Sequence, residues 1–427
     1  CSASYDSFVV GSSAVLRLNF CAPKSATTPS RETLPVIKTT RQSITPYKCI
    51  KMNKTVYIIG AGFSKSANAP LQSELIDEIF KIRNDELPSD YRQIYIQYRN
   101  DFKNFLLDTM FIDENNFGKI SLEDIYTPID RCIIDNLAFR NISPKDLIDL
   151  RQKINGLIIM MLNHKLRITR ARGVHIENFT DYLITKRKKH KNNDPFSIIS
   201  TNWDILIDNS FKRKIENSEG IVDYCCYTTP YDRNEPVMPG LLALGKGLFN
   251  IKLLKLHGSM NWLHCKRCQR LFVTFFEKIA IDEYVNKPIC RLCERNFSNE
   301  HTSDGGALLS SQLIMPTFLK DLNNVQLKLI WQNAGIEISE ASNIVFMGYS
   351  FPMADFELRQ LLARNVRHNA KIDVVLRSQD KPKTSDDNSS AEYRFKSFFG
   401  KREINMFYDG VENYIKKLTP ANTQYSQ

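Results

Sequence analysis

Two Cys-x-x-Cys pairs, Cys265/Cys268 and Cys290/Cys293, are separated by 21 residues. Each pair offers two thiolates from one knuckle, and two knuckles complete a closed tetrahedral site, so the spacing predicts structural zinc, with reduced core cysteines as the alternative. His264 adjoins the first pair, but four thiolates leave it no place. Cys1, Cys21, Cys49, Cys132, Cys225 and Cys226 show no ligand spacing. Other residues able to do chemistry each follow a short apolar run. Gly60-Ala61-Gly62-Phe63-Ser64 can form a tight turn that brings a phosphate to backbone N–H groups at a helix start. The third glycine of a dinucleotide fingerprint is absent, Lys65 standing in its place, and no strand ending in an acid follows as a dehydrogenase requires. A glycine turn without ligand remains the alternative. Thr201-Asn202-Trp203-Asp204 sets an amide and a carboxylate after a buried run, where Asp204 either faces a cleft or caps the helix begun by Ile205, Leu206 and Ile207. His257-Gly258-Ser259, Gly348-Tyr349-Ser350-Phe351 and Arg377-Ser378 complete the set. A lone histidine at a strand end reads as a structural group. Beside four other polar strand ends, His257 reads as part of a site.

The elements that position these residues are short apolar runs alternating with helical patterns, hence an α/β fold. Strands are expected at Thr55–Ile59, Phe196–Ser200, Leu253–Leu256, Asn343–Met347, Ile372–Leu376 and Ile404–Phe407. Runs apolar throughout suit a parallel sheet covered on both faces, whose ligands bind beyond the carboxyl ends of the strands. About 135 residues separate the first two strands, too many for one crossover, so 71–191 reads as a helical insertion. Leu71, Leu75, Ile79 and Ile82 form one apolar stripe, and Ile94, Tyr98, Phe102, Phe105 and Leu106 another. Ser143 caps the clearest helix, with Pro144 at its first position and Asp146 in its first turn. Residues 379–390 read as a polar loop and 419–427 as a frayed tail.

The net charge of +11 over 427 residues is local. Residues 1–51 carry +5 and Lys165–Lys191 carries +7, so the remainder is slightly negative. The run Lys186–Lys191 can meet nucleic acid, an acidic partner or phosphate, but no aromatic platform interleaves it and a solvated helix end is favoured. Residues 1–51, rich in Ser and Thr and without hydrophobic period, read as a disordered leader; Met52 is the expected natural start, with a transit peptide as the alternative. No apolar run approaches the roughly 18 residues of a membrane span. Ten cysteines, four of them paired as metal ligands, favour a reducing, cytoplasmic setting.

The order GAGFS with Pro70, TNWD, HGS, four cysteines and GYSF resembles the sirtuin family over roughly Met52–Ser378. The resemblance implies a Rossmann-like parallel sheet with a large helical insertion and a small zinc-ribbon module at 263–297, using NAD as substrate. By position, Gly60, Ala61, Gly62, Phe63 and Ser64 would hold pyrophosphate and inner ribose, Asn202 and Asp204 would lie by the nicotinamide ribose, and His257 would be the catalytic base. Gly348 and Ser350 match the adenosine side, and Ser378 falls near the next ribose contact.

Departures qualify the resemblance. Leu71, Gln72 and Ser73 follow Pro70 where protein deacylases carry Asp-Phe-Arg, and after the zinc module Leu313–Phe318 lacks the Phe-Gly-Glu segment that pairs with substrate peptide. The helical insertion and Gly348–Asp355 resemble divergent sirtuin-like proteins of anti-phage defence, which hydrolyse NAD. The resemblance thus implies a regulated NAD glycohydrolase that assembles, or meets a partner, through the insertion. The alternatives are an NAD-dependent lysine deacylase and a non-catalytic NAD or ADP-ribose sensor.

Overall fold

The computed structural model describes residues 53–167, 173–190, 193–215, 220–233, 248–297, 307–382 and 387–419. The leader 1–51, Met52, Lys191 and the tail beyond Thr419 lie outside the described residues.

Seven strands form a parallel sheet: β1 (Thr55–Ile59), β2 (Phe196–Ser200), β3 (Gly220–Asp223), β5 (Phe249–Lys255), β9 (Asn343–Met347), β10 (Lys371–Val375) and β11 (Ile404–Phe407), in the order β11-β10-β9-β1-β2-β5-β3. Every residue of β1 and β2 is buried, as strands covered on both faces require. The chain leaves β1 toward β2 on one side and returns to place β9 on the other, which makes β1 the switch point of the sheet. The expected bounds of β1, β2, β9 and β11 coincide with those observed. β5 begins earlier than Leu253, because Asn250 and Lys252 are polar yet belong to the strand, and β10 spans Lys371–Val375 rather than Ile372–Leu376.

A second sheet, ordered β4-β7-β6-β8, joins β4 (Thr228–Pro230), β6 (Gly258–Cys265), β7 (Leu271–Val273) and β8 (Leu309–Leu313). Cys265 ends β6, Cys268 lies in the turn to β7, and Cys290 and Cys293 open a short helix (Arg291–Asn296) packed on this sheet. The shared core of Leu263, Cys265, Phe272, Ile279, Cys290, Cys293 and Leu309 reaches past the 263–297 segment to β8.

The helical layer contains α2 (Leu75–Lys81), α3 (Ser89–Asn104), α4 (Leu122–Asp135) and α5 (Pro144–Lys165), following the one-turn α1 (Ala61–Ser64). The Ser143 hydroxyl accepts from the N–H of Asp146, capping α5 as its sequence predicts. Leu75, Ile79 and Ile82 are buried, whereas Leu71 is only partly covered. Of the expected stripe on α3 and just beyond it, Phe102, Phe105 and Leu106 are buried, and Ile94 and Tyr98 pack partly covered against the same core. Tyr91 and Tyr95 join that core, the Tyr95 hydroxyl donating to the carbonyl of Ile79 at 2.8 Å. The segment 71–191 is not one packing unit: α6 (Val174–Lys189) places Ile176, Phe179 and Leu183 in the core of the parallel sheet, apart from the helical core around Ile154–Leu162. α6 is therefore the crossover returning to β2.

In the basic run ending α6, Arg187 is buried and donates to the backbone carbonyl of Asn250. The neighbouring cations occupy a helix C-terminus, where the macrodipole favours them. Among the described residues no helix is long and apolar enough to cross a membrane.

Candidate active site

A cavity of about 740 Å³ opens beyond the carboxyl edge of the parallel sheet, at the β1/β9 switch point. That volume lies within the roughly 300–1,000 Å³ of small-molecule sites. All five polar strand ends contribute to its wall: Ala61 and Gly62, Thr201 to Asp204, His257, Gly348 to Ser350, and Arg377. The helical layer closes the other side with Leu71 to Ser73 and Gly118 to Glu123, and Gln72 Nε2 donates to Glu123 Oε1 at 2.6 Å.

Asn202 ties the first two strand ends together. Its Nδ2 donates to the carbonyl of Gly60 at 3.0 Å and to Ser64 Oγ at 3.3 Å, and its own N–H donates to Ser200 Oγ. Ser64 is buried behind Asn202 and does not line the cavity. Phe63 does not line it either. Its ring packs edge-on against Phe179 and His175 in the sheet core, as a large apolar side chain on the inner face of α1 must. Ser378 is exposed, outside the cavity wall, in the turn that follows Arg377.

Asp204 combines both expected roles. Its Oδ1 accepts from the N–H of Leu206, capping α7 (Leu206–Ile215), while the residue also lines the cavity. Burial pushes its carboxyl above the usual range, opposed by the nearby Lys255 ammonium. Lys255, wholly buried, donates to the Asp204 carbonyl and pairs with Asp208 at 3.2 Å.

His257 is 8% exposed, and its Nε2 lies 3.4 Å from Asp355 Oδ1, close enough for charge interaction but not aligned for a hydrogen bond. Burial lowers the affinity of the ring for a proton; Asp355 and a backbone hydrogen bond at Thr201 oppose this, and Lys320 reinforces it. Burial thus favours the neutral form of the ring. Asp355 and Lys320 were not singled out from the sequence as site residues. The spacing of Asp355 from β9 is visible, but nothing in the sequence pairs it with His257. Arg394, which no motif marks in the sequence, also lines the cavity; its guanidinium donates to the backbone carbonyls of Ser350 and Ser389, and the Asp387 carboxylate on the same wall acts on its charge.

The four cysteines converge. Cys265 and Cys293 sulfurs are 3.7 Å apart, Cys268 and Cys290 sulfurs 3.8 Å, and all four lie within 4.8 Å of one another. Tetrahedral zinc with Zn–S of about 2.3 Å needs S···S near 3.8 Å, so the donor set fits such an ion. His264 turns away, its Nδ1 meeting the carbonyl of Ser310 at 3.1 Å.

No protein-family model and no curated protein matches the chain. Solved structures of Sir2 proteins are similar in layout. A Sir2 enzyme structure is 12% identical with a TM-score of 0.36, covering 86% of this chain and 91% of its own. Sir2 with a p53 peptide and NAD+ gives 12% and 0.34 at the same coverage. A mutant Sir2 homologue with ADP-ribose gives 11% and 0.38, covering 88% and 97%.

Proposed function

We propose that this chain is an NAD glycohydrolase, releasing nicotinamide and ADP-ribose. The observation that carries the reading is the burial of His257 in the wall of a cavity at the switch point of a parallel sheet, with Asn202 and Asp204 on the same wall. In the proposed step the C1′–N bond breaks and its electron pair leaves with neutral nicotinamide. The oxygen of water bonds C1′, and the proton it loses passes to His257 and then to solvent. Asn202 has its Nδ2 committed to Gly60 and Ser64, which leaves its Oδ1 to orient that water or a ribose hydroxyl. Asp204, in its ionised form, would stabilise the oxocarbenium-like ribose, and Arg394 would face the pyrophosphate. The four cysteines would hold structural zinc, which locks the sheet that follows His257 and supplies no chemistry to the step.

An unregulated hydrolase of this kind would exhaust the NAD of its own cell, so its activity would be gated. Together with the resemblance to defence proteins, this favours a cytoplasmic NAD-depleting effector of anti-phage defence, acting as a homo-oligomer or with a partner at the helical layer. The test is to incubate purified protein with NAD, with and without an acetyl-lysine peptide, and to quantify nicotinamide and ADP-ribose. Nicotinamide release without peptide, abolished in His257→Ala, supports hydrolysis. Release only with peptide makes the chain a deacylase, and tight NAD binding without product makes it a sensor; either overturns the reading.

A further inference from the structure

His257 belongs to a buried cluster drawn from three segments. Asp355, 7% exposed, presents Oδ1 to His257 Nε2 at 3.4 Å and to Lys320 Nζ at 3.3 Å. Its other oxygen, Oδ2, accepts from the Tyr349 hydroxyl at 2.6 Å. Lys320 is itself anchored by the carbonyl of Ala354 and by Glu357 at 3.0 Å. Tyr349 and Lys320 thus hold the carboxylate from two sides, and its remaining neighbour is a ring nitrogen without a hydrogen-bond partner. A buried polar atom is costly to leave unpaired, which argues that the ring finds its partner in a later state of the reaction.

We propose that Asp355 is a positioning residue that stabilises the imidazolium formed when the His257 ring takes up a proton and holds the ring in that state. The proposal rests on the reading of His257 as the base of NAD hydrolysis. In the resting protein the neutral ring needs no counter-charge. Once protonated, Nε2 carries a hydrogen toward Oδ1, and a charge-assisted bond forms where only proximity existed. Lys320 competes for the same oxygen and limits how tightly the proton is held, so that it can leave for solvent. The charged groups acting on the ring are Asp355, Lys320 and Glu357.

The test is an NMR titration of the His257 ring in labelled full-length protein, its signal assigned by loss in His257→Gln, alongside steady-state kinetics across pH. Asp355→Asn should lower the ring pKa by about one unit. It should lower kcat roughly 100-fold with KM within about threefold, and move the acid limb of the kcat profile to lower pH. Lys320→Met should shift the ring pKa upward and serves as the second arm should Asp355→Asn not fold. Tyr349→Phe, which removes one anchor of the carboxylate, should fall between wild type and Asp355→Asn. A ring that titrates unchanged in both Asp355→Asn and Lys320→Met overturns the proposal, whatever happens to activity. If wild-type protein releases no nicotinamide, the reading of the reaction fails, while the titration still decides the role of Asp355.

Discussion

The backbone N–H of Gly62 donates to the carbonyl of Gly348 at 2.8 Å, bonding the turn after β1 to the turn after β9. The glycines of the first turn therefore have a use that involves no ligand. A Cβ on Gly62 would meet the Gly348 carbonyl oxygen at 2.8 Å, and one on Gly348 would lie 2.2 Å from the Phe63 nitrogen. Two of the five strand ends in the cavity wall are thus in direct backbone contact.

Gly348→Ala should accordingly destabilise the fold by about 2–4 kcal/mol, combining left-handed strain with a backbone clash. Gly400 is the control, because it has a similar φ of +61° but open space around its missing Cβ. Gly400→Ala, strained in its backbone but free of any clash, should cost less, about 1–3 kcal/mol. Urea denaturation of the two variants measures the difference, and equal losses would show that the close approach of the turns does not matter.

How much of this was legible follows from where each signal lies. Short, mostly apolar runs closed by turn residues declare their own bounds, as β1, β2 and β9 do. The start of β5 was hidden because Asn250 and Lys252 are satisfied by partners far away in sequence: Arg187 and Asp223 for the amide, Asp194 and Glu337 for the amine. The polar strand ends were readable because turn residues stand out after apolar runs, and their convergence followed from parallel topology. Which of their side chains face the cavity was not readable. Phe63 and Ser64 point into packing, whereas Asp355, Lys320 and Arg394 arrive from segments that only the folded chain brings together.

Acid should weaken the fold partly through His257. Burial sets its folded pKa below the unfolded value of about 6.5, so as pH falls the unfolded chain takes up the proton first. The stability this ring contributes is present above about pH 6.5 and is lost as pH falls from there toward the folded pKa. His164 and His264 are shifted downward by burial as well, so the slope for the whole protein sums several groups. The difference between wild type and His257→Gln isolates one of them. Stability curves for the two that run parallel between pH 7.5 and 5, both taken from about the same denaturant series, would exclude a depressed pKa.

Purified protein should carry about one zinc per chain, measured by elemental analysis, and lose it in Cys290→Ser. Cys265 and Cys290 are wholly buried, so an empty site would leave unpaired thiols in the core they share with Leu263 and Phe272. Chelation should therefore lower the melting temperature. It should also reduce the proposed NAD hydrolysis, because β6 starts at Gly258, beside His257, and ends at Cys265. Full metal loss with an unchanged melting temperature would mean that the thiols do not hold the ribbon together.

Lys255 and Asp208 are both without side-chain exposure, and Asp208 is further bound by the Tyr224 hydroxyl at 2.7 Å. Taking two charges out of water is repaid only when both are present and bonded, so removing one leaves the other stranded. Lys255→Met should cost about 3–5 kcal/mol by urea denaturation, whereas Lys255→Met with Asp208→Asn should recover part of that loss. The same ammonium donates to the Asp204 carbonyl in the cavity wall. The double variant should therefore fold yet be slower in the proposed NAD hydrolysis, since Asp204 loses both a tether and the positive charge that favours its ionised form. Recovery of stability together with undiminished kcat would separate the buried pair from the site.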